Sequence, residues 1–202
     1  MCTSHRRSHT HPVAPRQFVC VELGTYCGYS ALVLASTLLQ YARDLAAVDP
    51  DAPPFDFVVY TTEVSSKILT VAQSVFRLAR VDARVVPLLL REGAGAPSLS
   101  AVLRDDRGLD HIDFLFLDHA KHLYLDDLRD LEDAGLLQAG SRVSADNVVF
   151  NRLDAYREHV RILEGAGVVT SRLEEMNLEY SNNLKDGIGE LRGAPRAWRA
   201  IF

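Results

Sequence analysis

Hydrophobic and polar residues alternate in two different ways along residues 17–163. Short apolar runs rich in β-branched and aromatic residues predict buried strands, and longer segments with apolar residues every three or four positions predict amphipathic helices. The predicted strands are residues 18–23, 55–62, 83–90, 111–117 and 141–145. The predicted helices are residues 30–41, 65–80, 97–104, 123–137 and 152–163.

This alternation of strands and helices predicts an α/β fold, with a mostly parallel, doubly wound sheet covered on both faces. Residues 168–202 contain strand-like pieces without a clear helix between them, which predicts an antiparallel hairpin at the sheet edge. The last strand is either residues 188–192 or residues 198–202. In open α/β sheets, ligands bind beyond the carboxyl ends of the strands, so functional side chains are expected there.

The composition is that of one globular domain. The chain has 202 residues, of which 48% are hydrophobic and 24% charged, with a net charge of −5. The negative charge argues against a nucleic-acid partner, because binding to phosphates needs Lys and Arg. No uninterrupted apolar run reaches the roughly 18 residues of a membrane span, so we expect a soluble protein. The 3 cysteines lack C-x-x-C spacing, which favours a reducing, cytoplasmic location.

Residues 1–16 differ in composition from the rest of the chain. They hold three Arg, three His and two Pro, and no acidic residue. They also lack the apolar stretch of a secretory signal. We therefore predict a disordered tail over residues 1–16 and one folded domain over residues 17–202.

The first two predicted strands each end near a carboxylate. Glu22 precedes a turn in which Gly24 and Gly28 let the backbone approach a ligand. The glycine spacing differs from the phosphate fingerprint of nicotinamide dehydrogenases, and an acid at Glu22 suits a cationic ligand group. At the second strand end, Glu63 is either an acceptor for ribose hydroxyls or an acid favoured by the N-terminus of the next helix.

The fourth and fifth predicted strands end in Asp118 and in Asp146-Asn147. Adjacent strands bring these ends together, and two carboxylates with an amide oxygen suit Mg²⁺. Taken separately, Asp118 is also typical of a helix cap and Asp146-Asn147 of a turn. His119 and His122 make zinc the alternative metal, but the expected ligands are oxygens.

Four sequence blocks together resemble the catechol O-methyltransferase family. They are Glu-Leu-Gly-Thr-Tyr-Cys-Gly-Tyr-Ser at 22–30, Phe-Leu-Asp-His-Ala-Lys at 116–121, Leu-Leu at 136–137 with Ala-Asp-Asn-Val at 145–148, and Leu-Glu-Tyr at 178–180. The resemblance runs in order from about residue 18 to at least residue 189. It implies a Rossmann-like methyltransferase sheet.

The resemblance also implies an activity. The enzyme would move a methyl group from S-adenosylmethionine to one hydroxyl of a small-molecule catechol whose two oxygens chelate Mg²⁺. We expect the protein to be a monomer. By resemblance, the metal ligands are Asp118, Asp146 and Asn147. Lys121 resembles the general base and Glu179 the acid that binds the other hydroxyl, with Asn147 also contacting substrate. The residues that resemble cofactor contacts are Glu22, Gly24, Tyr26, Ser30, Glu63, Val64, Asp118 and His119.

The chain also departs from the family pattern. Family members begin with helices before the first strand, whereas about seventeen residues precede Phe18 here, so the N-terminal cap helices are expected to be missing. Ala120 stands where the family has a tryptophan, and residues 93–97 lack a serine used near adenine. Two other interpretations stay open: a non-catalytic paralogue that keeps the fold, and a methyltransferase for caffeoyl or flavonoid catechols.

Overall fold

A computed structural model describes residues 16–91, 93–149, 153–177 and 185–194. In this part of the chain the strands are β1 Phe18–Leu23, β2 Phe57–Glu63, β3 Val85–Leu89, β4 Ile112–Leu117, β5 Leu137–Ala145, β6 Val169–Asn177 and β7 Lys185–Gly193. The α-helices are α1 Tyr29–Val48, α2 Ser66–Leu78, α3 Leu99–Ala101, α4 Tyr124–Asp133 and α5 Asp154–Gly165. A π-helical turn, Val102–Asp106, continues α3, and a 3₁₀ turn, Lys121–Leu123, leads into α4.

The strands form a seven-stranded sheet in the order β3-β2-β1-β4-β5-β7-β6. The first five strands pair in parallel, and β7 pairs antiparallel with both β5 and β6. This arrangement confirms the doubly wound sheet with an antiparallel C-terminal hairpin. Residues 188–192 lie in β7. This strand lies between β5 and β6, so the edge strand is β6. Residues 198–202 lie outside the described residues.

Helices pack on both faces of this sheet and form two apolar clusters. On one face, α1 and α2 bury small and aromatic side chains against β1, β2 and β3, among them Ala31, Ala35 and Phe76. On the other face, α4 and α5 bury Leu128 and Leu163 against the central strands. Alanine at the α1 contact positions lets that helix lie close to the sheet, which fixes the position of the turn that follows β1.

The observed element boundaries differ from the predicted ones mainly between α4 and β5. The helix predicted over residues 123–137 ends at Asp133, because Gly135 adopts a left-handed φ of 68° and turns the chain. Leu137 therefore begins β5, four residues before the predicted strand. The segment predicted as a helix at 97–104 is one short α-helical turn followed by the π turn.

Helix α1 extends to Val48, past the predicted end at residue 41. By length and composition alone, α1 is long and apolar enough to cross a membrane. It nevertheless follows β1 directly and buries Ala31 and Ala35 in the sheet cluster, which is the position of a sheet-covering helix. At the start of the described chain, Arg16 forms an ion pair with Asp113 on β4, whereas residues 1–15 of the predicted tail lie outside the described residues.

Candidate active site

A cleft of about 930 Å³ opens at the carboxyl ends of the parallel strands. The turns after β1, β2, β4 and β5 and the start of β7 contribute to its walls. Nine of the residues singled out from the sequence line it: Gly24, Tyr26, Ser30, Glu63, Val64, Asp118, His119, Asp146 and Asn147. Glu22 and Lys121 lie near this cleft without being part of its lining, and Glu179 lies outside the described residues.

The turn after β1 lies directly against the end of β4. Gly24 has a φ of 103°, and a Cβ added there would lie 2.4 Å from the backbone oxygen of Asp118. A side chain at this position would therefore meet both backbone strain and a steric clash. This close approach allows the β1 turn and Asp118 to border the same cleft.

Glu22 is a fully buried carboxylic acid at the end of β1. Burial raises its pKa to about 7, although hydrogen bonds from the Ser30 and Thr61 hydroxyls favour the ionised form and oppose that rise. Its Oε1 atom has no hydrogen-bond partner among the described residues. A buried acceptor without a partner is costly, so this atom fits a cationic or N–H donor group of a ligand.

Glu63 ends β2 and is held by backbone N–H groups. Its Oε1 accepts from Val64 N at 2.9 Å and from Ser65 N at 3.0 Å, and its Oε2 accepts from Tyr26 N at 3.0 Å. Ser65 is the N-cap of α2. Glu63 thus lies at the start of a helix, as one of the two interpretations requires, and it also lines the cleft.

The ends of β4 and β5 bring two carboxylates side by side. Leu117 pairs with Ala145 in the sheet, so Asp118 and Asp146 follow at neighbouring positions. Burial, and secondly the charge of Asp118, raises the pKa of Asp146 above its ordinary value. Asn147 adds an amide to the same edge, with a left-handed φ of 56° that Asn tolerates well.

This donor set is made of hard oxygen atoms and carries excess negative charge, which fits Mg²⁺. Within the described ranges, no three His, Cys, Asp or Glu side chains come together as a metal site. The zinc alternative lacks support for the same reason. His119 Nε2 lies 2.7 Å from Asp127 Oδ2, and His122 is exposed.

Lys121 is held beside the carboxylates by two acceptors. Its Nζ donates to Asp118 Oδ1 at 2.9 Å and to the Tyr124 hydroxyl at 2.7 Å. Tyr124 in turn donates its proton to the Leu117 carbonyl oxygen at 2.6 Å, so a lone pair of the phenol oxygen faces the amine. Burial raises the pKa of Tyr124 above its ordinary value, which keeps the phenol protonated.

Two residues of the cleft were missed by sequence reasoning. Asp186 on β7 is buried, lines the cleft and accepts a 2.6 Å hydrogen bond from Asn147 Nδ2. Ser98 also lines the cleft, one residue beyond the segment judged to lack a serine. Ser98 is the N-cap of α3 and accepts from the N–H of Ala101, three residues later. A serine just before a predicted helix was the sequence signal that could have identified it.

The cysteines differ in their access to this cleft. Cys27 is exposed and belongs to the lining, next to Tyr26. Cys20 lies in β1 and is buried, and burial raises the pKa of its thiol. Cys2 lies outside the described residues.

Comparisons with known proteins agree with this geometry. Residues 21–148 match the family described as a methyltransferase domain. The chain is 33% identical over 173 residues to the catechol O-methyltransferase of Sus scrofa, covering 86% of this chain and 81% of that protein. It is 34% identical over 166 residues to a protein of Mycobacterium tuberculosis named a probable O-methyltransferase, covering 82% of this chain and 64% of that protein.

A solved structure shows the same fold. The O-methyltransferase TomG of Streptomyces achromogenes, solved in complex with SAM, has a TM-score of 0.64 and 21% identity, and the match covers 87% of this chain and 73% of that one. The chain spans less than two thirds of the length of the mycobacterial relative. The chain belongs to the catechol O-methyltransferase family of class I O-methyltransferases.

Proposed function

We propose that this chain transfers a methyl group from S-adenosylmethionine to one hydroxyl of a catechol, in a reaction that depends on Mg²⁺. The observation that carries the proposal is the convergence of Asp118, Asp146 and Asn147 at one end of the cleft, beside an amine. Lys121 Nζ lies 2.9 Å from Asp118 Oδ1. The name of the porcine relative supports the catechol as substrate.

The β1 and β2 ends are suited to the cofactor. S-adenosylmethionine, when bound, supplies an electrophilic methyl group on a positively charged sulfur. Glu22 offers a buried oxygen without a partner to a cationic group of this ligand. Glu63 Oε2 accepts one backbone N–H and so keeps a lone pair for a ribose hydroxyl.

The metal would be held by Asp118, Asp146 and Asn147. Mg²⁺, when bound, makes a coordinated hydroxyl more acidic. A divalent cation held there would offset the negative charge of the two carboxylates; burial, and secondly the charge of Asp118, raises the pKa of Asp146. Lys121, which pairs with Asp118, lies next to this group of oxygens.

The hydrogen bonds of Lys121 suit a general base. A neutral amine has two N–H donors and one lone pair. Asp118 and Tyr124 accept the two donors, which leaves the lone pair for the proton of a substrate hydroxyl. The oxygen that loses this proton bonds to the methyl carbon as the carbon–sulfur bond breaks, which yields a monomethylated catechol. Glu179 remains the predicted partner of the second hydroxyl.

A direct assay tests the proposal. The protein is incubated with S-adenosylmethionine, Mg²⁺ and a panel of 3,4-dihydroxy aromatics, and products are detected by mass, with EDTA as the control. We expect monomethylated product with Mg²⁺ and none with EDTA. Product formed in EDTA contradicts the metal step. Cofactor binding without any product favours the non-catalytic interpretation, and product from caffeoyl or flavonoid compounds alone favours that substrate class.

A further inference from the structure

Asp186 lies on the antiparallel strand β7, yet its side chain reaches the end of β5. It is 3% exposed and borders the cleft. Its Oδ2 accepts from Asn147 Nδ2 at 2.6 Å, and its Oδ1 accepts from the backbone N–H of Gly187 at 2.8 Å. The carboxylate is thus itself oriented by the backbone and contacts the amide of a residue in the proposed metal group.

The sheet pairing places these two residues together. Ala145 pairs with Gly189, and Val148 N donates to Gly187 O at 3.0 Å, so the strands stay in register past the end of β5. The backbone of Asn147 is fixed as well, because its N–H donates to Asp146 Oδ1 at 2.8 Å. The contact with Asp186 acts on a different feature of Asn147, the orientation of its amide group.

A carboxylate decides that orientation. The amide of Asn has a donor end and an acceptor end of nearly the same shape, and only the acceptor end binds a cation. An ionised carboxylate accepts hydrogen bonds and donates none, so it selects the NH₂ end of the amide. With Nδ2 turned toward Asp186, the carbonyl oxygen Oδ1 points away from this carboxylate.

We propose that Asp186 is a positioning residue that fixes the Asn147 amide so that Oδ1 is presented to the metal. This inference rests on the proposed function, since it concerns the same group of oxygens. It adds a residue that acts through Asn147 and is not itself one of the ligands. Asp186 also adds a buried carboxylate to this edge of the sheet, which strengthens the preference of the edge for a cation.

The test measures binding of Mn²⁺ by electron paramagnetic resonance, in the presence of S-adenosylhomocysteine, with the whole chain. Asp186→Asn removes the selection, because an amide donates as well as accepts. We expect its Mn²⁺ affinity to fall about tenfold or more, as is common when a group that orients a ligand is lost. The affinity for S-adenosylhomocysteine alone should stay unchanged.

A charge swap provides the rescue. In Asn147→Asp with Asp186→Asn, the new carboxylate accepts from the new amide, and its second oxygen takes the place of Oδ1. We expect the double variant to recover most of the Mn²⁺ affinity lost in Asp186→Asn. Asp113→Asn is the matched control, since Asp113 also accepts from a backbone N–H, that of Val19, but lies on β4 away from the cleft.

The outcomes separate the two proposals. Failure of the unmodified protein to bind Mn²⁺ overturns the metal step of the proposed function, and this inference with it. Binding by the unmodified protein with equal binding by Asp186→Asn overturns the role of Asp186 alone. A loss that the swap does not recover, or that Asp113→Asn reproduces, also overturns it, because the effect then comes from general damage to the sheet.

Discussion

The acidic residues on the two sides of the cleft have different hydrogen-bond partners and neighbouring charges. On the β1–β2 side, Glu63 receives three backbone N–H bonds and Glu22 accepts a hydrogen bond from the Thr61 hydroxyl. On the β4–β5–β7 side, Asp118, Asp146 and Asp186 lie near one another, and the amine of Lys121 donates to Asp118.

This difference shows what each side still requires. Neutral donors of the protein already hold the acids of the β1–β2 side in place, so a ligand there meets a rigid surface with a few open acceptors. The β4–β5–β7 side carries like charges that repel one another, and a bound cation relieves that repulsion. In the proposed function, the second side therefore carries the chemistry and the first side binds the cofactor.

The largest expected effect separates the two sides by function. Lys121→Ala removes the proton acceptor of the β4–β5–β7 side, so turnover should fall by about 10² to 10⁴. Cofactor affinity should remain unchanged, because the hydrogen bonds of Lys121 go to Asp118 and Tyr124 on the β4 side of the cleft. Steady-state assays and calorimetry check both statements. Lys67→Ala, an exposed change on α2, is the control, and near-normal turnover in Lys121→Ala would refute the assignment of the base.

The second-largest effect concerns the contact between the turn after β1 and the end of β4. Gly24→Ala places a methyl group 2.4 Å from the backbone oxygen of Asp118. We expect a loss of about 3 kcal/mol in the free energy of unfolding, from strain and overpacking together. Gly93→Ala is a matched control, since Gly93 has a φ of 102° with nothing within 4 Å, and strain alone there costs about 1 kcal/mol.

Urea denaturation measures both glycine variants. Equal losses in Gly24→Ala and Gly93→Ala would mean that the close approach of the β1 turn to β4 has no energetic consequence. A larger loss of unfolding free energy in Gly24→Ala than in Gly93→Ala supports a stabilising role for this close approach.

The third effect concerns pH on the β1–β2 side. The pKa of Glu22 is about 7, so its ionised fraction rises from about one tenth at pH 6 to about nine tenths at pH 8. Affinity for the cationic amino group of S-adenosylhomocysteine should rise about tenfold over this range. Glu22→Gln should flatten that profile, and a wild-type profile that is already flat contradicts the role of Glu22.

For the unliganded protein, the raised pKa of Glu22 has the opposite consequence, because the stability of the fold decreases as the pH rises. The folded state binds the proton of Glu22 more tightly than the unfolded state does. Its contribution to stability is therefore fully present below the ordinary pKa of 4.5 and is lost as the pH rises through about 7. Thermal unfolding without ligand, compared between the wild type and Glu22→Gln, measures this loss.

The smallest effect tests the backbone bonds of Glu63. Three N–H donors need two accepting oxygens, and Glu63→Gln replaces one of them with a donor. The Gln carbonyl can still accept from Val64 and Ser65, but the bond to Tyr26 N is lost, at a cost of about 1 kcal/mol. Mn²⁺ affinity should not change. A change in metal affinity as large as the change in cofactor affinity would contradict the separation of the two sides.

The sequence was informative where local pattern and tertiary structure agree. The apolar runs predicted β1, β2 and β4 directly. The sequence also predicted that Asp118 and Asp146 lie side by side, because parallel strands end at a common edge of the sheet. Leu137 was misplaced because an apolar pair fits a helix end as well as a strand start, and the turn at Gly135 decided between them. Asp186 was missed because Lys-Asp-Gly has the composition of a turn. Its role depends on β7 lying beside β5, which local sequence does not encode.

Cys27 lies where the reactivity of its thiol can report the binding of a ligand in the cleft. This thiol lies at the mouth of the cleft, whereas Cys20 is sealed in the sheet. Alkylation of Cys27 is therefore expected to slow when a nucleoside ligand fills the β1–β2 side, and Cys20 is expected to stay silent until the sheet unfolds. With Cys2 replaced by serine, the rate of labelling reports occupancy, and the extent of labelling reports unfolding.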